Sequence, residues 1–291
     1  MQLGWLVSVS ASSLHAAGEL LRGRSLVDTE LAEKLIELVE DFRAVAETWH
    51  VDPIVLVDHL TAVSVEPSSI DQQARLAIRK VAGEGSVPRI VTAISGWMQQ
   101  FQGLFLQVHP DALEGLELRS APLREQWEAR GPGMLARLRS LIGSEPLVES
   151  AGVVLVQPVM GGDGVAHVPY NRVSFEAVLA NPVAELPEVV RLGWLLAQLQ
   201  LDLPAIQGQL SRQRTLEVGA LAAVPAVLTA ASEVELSGPV ESILTRAFET
   251  WKLPPSDQDT LLAWWETYLA DRPAWGSALA ALDRLLSQPD G

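Results

Sequence analysis

The run Ala151-Gly-Val-Val-Leu-Val-Gln-Pro-Val-Met-Gly-Gly-Asp-Gly164, continued by Val165-Ala-His-Val-Pro-Tyr-Asn-Arg-Val-Ser-Phe-Glu-Ala-Val-Leu179, carries the β-signal of this chain. Residues 153–159 are β-branched and apolar, and residues 165–179 resume with Tyr170, Val173, Phe175 and Val178, so both read as strands. Gly161, Gly162 and Gly164 around Asp163 read as a hairpin turn between them, because glycine supplies the positive φ of a tight turn. Past the breaker Asn181-Pro182, Leu186, Val189, Val190, Gly193, Trp194 and Ala197 recur at helical spacing. The rest reads as helix. The expected class is therefore α+β and predominantly helical, with an N-terminal helical bundle, a small sheet-plus-helix unit and C-terminal helices.

Working outward, residues 6–21 form an apolar run that reads as a first helix ending near Gly23. Leu31, Leu35, Leu38, Phe42, Val45 and Trp49 step by four and three, with Glu30, Glu33, Lys34, Glu37, Glu40 and Asp41 opposite them. That stripe covers about three heptads, which fits packing within a bundle better than a coiled-coil seam; self-association through it is the alternative. Asp52-Pro53 marks a third start, an N-cap followed by proline in the first turn. Ser68, Ser69 and Asp71 open a fourth helix over 68–81, Gly83-Glu-Gly-Ser86 ends it, and a fifth spans 88–105. Between 108 and 130 the periodicity weakens, and Gly131-Pro-Gly133 is expected to open a helix over 134–142. Further helices are expected at 204–213, 215–231, 239–251, 257–270 and 275–286, with Ser256 and Asp259 resembling a capping box. In linear terms this gives a bundle over 1–125, a sheet-plus-helix unit over 126–235 and C-terminal helices over 236–291.

Composition narrows the function classes. Twenty-one Lys and Arg against 36 Asp and Glu give a formal charge of -15, which repels a phosphate backbone and an anionic membrane surface. Neither nucleic acid nor membrane is an expected partner. There is no cysteine, which excludes disulfides, thiolate metal sites and thiol nucleophiles. The apolar N-terminus has no basic stretch and is laced with serine, unlike a signal peptide. Residues 218–231 contain Pro225 and fall short of the ~18 apolar residues of a spanning helix. A soluble, cytoplasmic protein is the expectation.

Motifs of known chemistry are missing. Gly131-Pro-Gly-Met-Leu-Ala136 has the letters of a dinucleotide fingerprint, but the charged residues 125–130 before it do not make the strand such a turn requires. His15, His50, His59, His109 and His167 form no metal-ligand spacing. There is no G-x-S-x-G elbow, no S-x-x-K and no phosphate loop, so neither cofactor nor metal is expected. Two constellations remain. Asp163, His167 and Tyr170 lie within eight residues and, with Arg191, would be the acid-base set of an unrecognised hydrolase or lyase. Trp194, Trp264 and Trp265 are candidate binding residues; the adjacent pair at 264–265 is either wedged between layers or presents one ring as a partner anchor.

The order helix 134–142, strand 153–159, strand 172–179, helix 186–200 resembles the core of the zincin metallopeptidases. In that family a helix backs a small sheet, an edge strand lines the substrate cleft and the next helix carries H-E-x-x-H. Leu186-Pro-Glu-Val-Val-Arg-Leu-Gly-Trp-Leu-Leu-Ala-Gln198 looks like that helix. Aligned on its Leu-Gly step, Val190 takes the place of the first metal-binding histidine, Arg191 that of the general base and Trp194 that of the second histidine. Glu217 would fall where a third ligand often sits. None of the three replaced positions can bind zinc or activate water. The resemblance thus implies a non-catalytic relative that kept a peptide cleft, a binding or scaffolding protein with a protein or peptide partner. The plainer reading of Arg191 is an ion pair with Glu188 beside a core tryptophan.

Overall fold

The computed structural model describes residues 1–143, 148–181, 183–204, 206, 208–253 and 258–287. Pro182 of the expected breaker and Ser256 of the expected capping box lie outside them. The chain is 69% helical, with eleven α-helices and a small mixed sheet of four strands among the described residues, a predominantly helical α+β fold. Contacts divide it into two compact units. One, the sheet unit, comprises residues 4–121 and 152–178; the other, the helical unit, comprises 1–3, 122–151 and 179–291.

The chain opens with an unexpected strand, β1 (Gln2–Val7), whose last two residues fall in the helix expected over 6–21. Exposure alternates along it residue by residue, the period of a pleated strand. Ser8 then sets the helix start: its backbone is extended and its side chain accepts a hydrogen bond from Ala11 N at 3.0 Å. Helix α1 (Val9–Leu21) follows and is buried from Ala11 onward. It packs most closely on α3 (Pro53–Val63), where a Cβ on Gly18 would come within 2.9 Å of Val57. α2 (Thr29–Thr48) buries Leu31, Leu35, Val39, Phe42 and Ala46: the stripe expected from the sequence holds at Leu31, Leu35 and Phe42, while Val39 and Ala46 take the buried positions expected for Leu38 and Val45, which are only partly buried. Asp52 caps α3 by accepting from Ile54 N and Val55 N, as Asp52-Pro53 implies. α4 (Ile70–Ala82) begins with a capping box of Ser69 and Gln72, and α5 (Val87–Val108) completes the layer.

The second difference lies in α6 (Ala112–Ile142), a single 31-residue helix that runs through both Pro122 and Gly131-Pro-Gly133. Proline costs a helix interior about 3 kcal/mol and each glycine about 1. Burying Trp127, Met134, Leu138 and Leu141, each worth about 1.5–3 kcal/mol, offsets this. Gly131 also has a steric reason, since a Cβ there would sit 2.4 Å from the Trp127 ring. Tertiary packing overrides the local breakers.

The sheet order is β1-β2-β4-β3. β2 (Ser150–Val156) runs parallel to β4 (Arg172–Glu176), with Val153 opposite Val173 and Val156 opposite Glu176. β3 (Gly164–His167) is antiparallel to β4, with His167 opposite Arg172. Gly161-Gly-Asp-Gly164 is therefore not a hairpin turn, because the strands it joins are not neighbours. The hairpin lies at Val168–Tyr170, a short 3-10 turn closed by Asn171 in the left-handed region at φ 48. β4 lies between β2 and β3, so the only hairpin these three strands can make is the antiparallel β3–β4 pair.

In the helical unit, α7 (Glu188–Gln198) is capped by Asn181, whose Oδ1 accepts from Glu188 N. α7 is followed by a 3-10 turn, Leu199–Asp202; of the helix expected at 204–213, residues 205 and 207 lie outside the described residues, the described residues up to Ser211 are not helical, Gly208 has φ 107, and Ser211 caps α8. α8 (Arg212–Glu233) is the central helix, in contact with α7, α9 (Val240–Thr250), α10 (Gln258–Asp271) and α11 (Trp275–Leu286). It is the one described helix long and apolar enough to cross a membrane, and 67% of its apolar window is buried inside the protein.

Candidate functional site

Polar chemistry gathers in two places, one in each unit. In the sheet unit it starts on α1, where His15 and Glu19 are one turn apart on a helix that is buried from Ala11 onward. His15 Nε2 lies 3.1 Å from Glu176 Oε1 at the end of β4. Glu19 receives Arg22 at 3.4 Å and Arg24 at 2.8 Å, and Arg24 reaches on to Asp163 Oδ2 at 2.6 Å. Arg22 also grips both oxygens of Asp58 on α3 at 2.7 Å. Four carboxylates thus share two guanidinium groups and one imidazole. The excess of acid is reflected in Asp163, which burial, then Glu19, hold above the usual carboxylate range despite His15 and Arg24. Burial alone would push His15 down, but the hydrogen bond and charge of Glu176 outweigh it and hold the imidazole up. Glu176 is held down in turn by His15 and by backbone amides, against its own burial.

Those amides account for the glycine turn. Val159 N and Met160 N donate to Glu176 Oε1 at 2.9 and 2.8 Å, and Gly162 N donates to Oε2 at 2.6 Å. The loop is an anion-binding nest that the protein fills with its own carboxylate. Gly162 needs φ 123 to turn its N–H inward. Gly162→Ala is expected to destabilise the sheet unit by about 1–3 kcal/mol, measured by native-state hydrogen exchange in β4; an unchanged exchange rate would show that the loop tolerates another path.

The residues singled out in the sequence have separate partners. Asp163 is 3% exposed and, beyond Arg24, accepts from Gly164 N at 2.7 Å. His167 is 4% exposed, and its Nε2 sits 3.1 Å from the hydroxyl of the fully buried Ser174. A serine beside a histidine is the first half of an acyl-transfer centre. Here burial, then His15, Arg22, His59 and Arg172, push His167 down to about 3, too weak a base to take the serine proton at neutral pH. Tyr170 pairs its hydroxyl with His59 Nδ1 at 2.8 Å, and burial pushes it up to about 12. Among the described residues Asp163, His167 and Tyr170 make no hydrogen bond to one another.

Arg191 belongs to the helical unit. It is 1% exposed, and its NH2 lies 3.1 Å from Glu188 Oε1 without the alignment of a hydrogen bond. Trp194 stacks on Trp251 with ring centroids 5.2 Å apart and donates to Ala220 O. Val190 is fully buried, and Glu217 pairs with Arg214 on a half-exposed face. Trp264 and Trp265 are 5% and 3% exposed and donate to Ala278 O and Thr229 Oγ1, so neither ring is presented to solvent. Among the described residues no three His, Asp or Glu side chains gather as a metal ion requires.

The second place is a cavity of about 540 Å³ in the helical unit. The C-terminal turn of α6 (140–143) forms one wall, Gln200 and Ile206 a second, and Tyr268 with residues 272–275 a third. Trp264 and Trp265 lie behind it: Trp264 is 5.9 Å from Trp275, and Trp265 stacks on Tyr268 at 5.2 Å. Tyr268 and Arg272 donate to the carbonyls that end α6, Leu141 O and Ser140 O. Among the described residues no carboxylate lines the cavity. His15 is not singled out in the sequence as a partner of Glu19, Arg22, Asp58 and Glu176, though a His and a Glu one turn apart in an otherwise uncharged run are the available sign. The cavity had no linear sign at all.

The fold places the chain among predominantly helical α+β proteins. No protein-family model, curated protein or solved structure matches it.

Proposed function

We propose that this chain is a binding protein without catalytic activity, and that its ligand enters the cavity of the helical unit. One contrast carries the reading. In the sheet unit the ionisable side chains answer one another, so a reaction there would first have to break buried pairs at several kcal/mol. In the helical unit Gln200 lines an open cavity, 3% exposed, and its side-chain amide makes no hydrogen bond among the described residues. The volume lies within the roughly 300–1,000 Å³ of small-molecule sites. A small molecule is therefore the best-supported partner, ahead of the protein or peptide that the resemblance to zincins implies. The acidic balance argues against nucleic acid and membrane, and a cysteine-free chain suits the reducing cytoplasm.

The test pairs a broad hydrolase and lyase substrate panel with a small-molecule stability screen. We expect no turnover, and a subset of compounds that raise the unfolding temperature of the helical unit. A ligand at a hundred times its Kd adds about 2.7 kcal/mol. Turnover abolished by His167→Ala would overturn the proposal in favour of an enzyme built on Asp163 and His167.

A further inference from the structure

We infer that the cavity takes a small organic monocarboxylate, its head at the N-terminus of α11 and its apolar body against Leu141, Ile142 and Tyr268; this rests on reading the cavity as a binding site. Four observations converge on the head group. α11 is twelve residues long, begins at Ala274 with no side-chain cap, and has no acidic residue in its first turn. The amides of Trp275, Gly276 and Ser277 make no backbone hydrogen bond among the described residues, so the positive end of the helix opens unanswered beside the cavity. Arg272, at φ 48, stands at the same rim, and its guanidinium meets only the carbonyls of Leu269, Ser140 and Leu141, with no carboxylate partner among the described residues. Gln200, more than nine-tenths buried, supplies a free amide donor from the opposite wall.

In a chain of net charge -15, a cavity whose described lining residues include no acid but do include an arginine, a glutamine and the start of a helix has the electrostatics of an anion receptor. A single guanidinium matches a single negative charge. The walls of Leu141, Ile142, Ile206, Tyr268 and Trp275 suit a hydrocarbon or aromatic body, which inorganic phosphate lacks.

The experiment is calorimetric titration of the full-length protein with four probes: 4-phenylbutyrate, its neutral amide, 4-phenylbutylamine and inorganic phosphate. The carboxylate should bind one to one and about tenfold or more tighter than the amide, the amine should not bind, and phosphate should bind more weakly than the carboxylate. Arg272→Gln should weaken the carboxylate about tenfold, and Gln200→Leu about fivefold, with amide binding less affected by the first. Equal affinity for carboxylate and amide would overturn the monocarboxylate assignment while leaving the cavity a binding site. Phosphate binding as tight as the carboxylate would overturn the role given to the apolar walls. Heat from none of the four, in a protein whose stability screen also yields no cavity ligand, would overturn both readings together.

Discussion

Glu188→Leu should destabilise the helical unit by about 3–5 kcal/mol, because it leaves the Arg191 guanidinium inside the protein with no opposite charge. Among the described residues Arg191 is the largest side chain with under 2% exposure. Its Nε and both terminal nitrogens lack an aligned hydrogen-bond acceptor, so Coulomb attraction to Glu188 at 3.1 Å is what keeps it tolerable. Such a pair holds through mutual dependence and adds little net stability, and that distinguishes it from a working site. The double variant Glu188→Leu/Arg191→Met should therefore recover most of the loss, since replacing both charges by apolar groups of similar size is often neutral or better. Hydrogen exchange in α7 and α8 reads each variant without assuming that the whole chain unfolds in one step. A double variant no more stable than Glu188→Leu alone would mean that Arg191 does more than balance its neighbour.

The sheet unit should be most stable near pH 6.5 and lose stability in both directions, for two opposite reasons. His167 is held neutral by burial, with a folded value of about 3 against an ordinary 6.5. Below pH 6.5 the unfolded chain takes up a proton that the folded one refuses, so stability falls by about 1.4 kcal/mol per pH unit, roughly 3 kcal/mol by pH 4.5. His15 runs the other way. Its folded value is raised above 6.5 by Glu176, so its contribution is complete below 6.5 and disappears as pH climbs through the raised value. Glu176, held below its ordinary 4.5, adds a further loss once the pH drops past that point. Asp163, held up, offsets part of the acid limb because its protonated form is favoured in the fold. Replacing His167 by glutamine should flatten the limb between pH 6.5 and 4.5 and leave the alkaline limb in place. An acid limb of unchanged slope in that variant would show that His167 is not the group responsible.

Local signals carried much of the fold. The Asp52 cap, the Ser69 start and the bounds of α11 are each decided within a few residues, and a single sequence displays them. The β1 strand is hidden because it is six residues long and its end, Leu6 and Val7, joins an apolar run that reads as helix until Ser8 turns the backbone. α6 was cut at Gly131-Pro-Gly133 because breaker costs are local whereas the burial of Trp127 and Met134 that offsets them is not. The parallel β2–β4 pairing moved the hairpin from Gly161–Gly164 to Val168–Asn171, a choice that depends on which strand lies between the others.

The sites were harder still. His15 meets Glu176 across 161 residues and Arg24 meets Asp163 across 139, so proximity along the chain grouped Asp163 with His167 and Tyr170 while space gave each a different partner. The tryptophans at 264 and 265 pointed to the right region for a different reason: they support the wall formed by Tyr268 and Trp275. What made the cavity legible was the hydrogen bonds that its lining residues do not make.

A crystal soaked with a library of small acidic, neutral and basic fragments puts the two polar centres in direct competition. Fragments should collect between the end of α6 and the start of α11, with acid groups turned to Arg272 and the first turn of α11. Fragments bound instead against His15, Asp163 or His167, with the cavity of the helical unit left empty, would contradict the assignment of the buried ion network to structure and of the cavity to recognition.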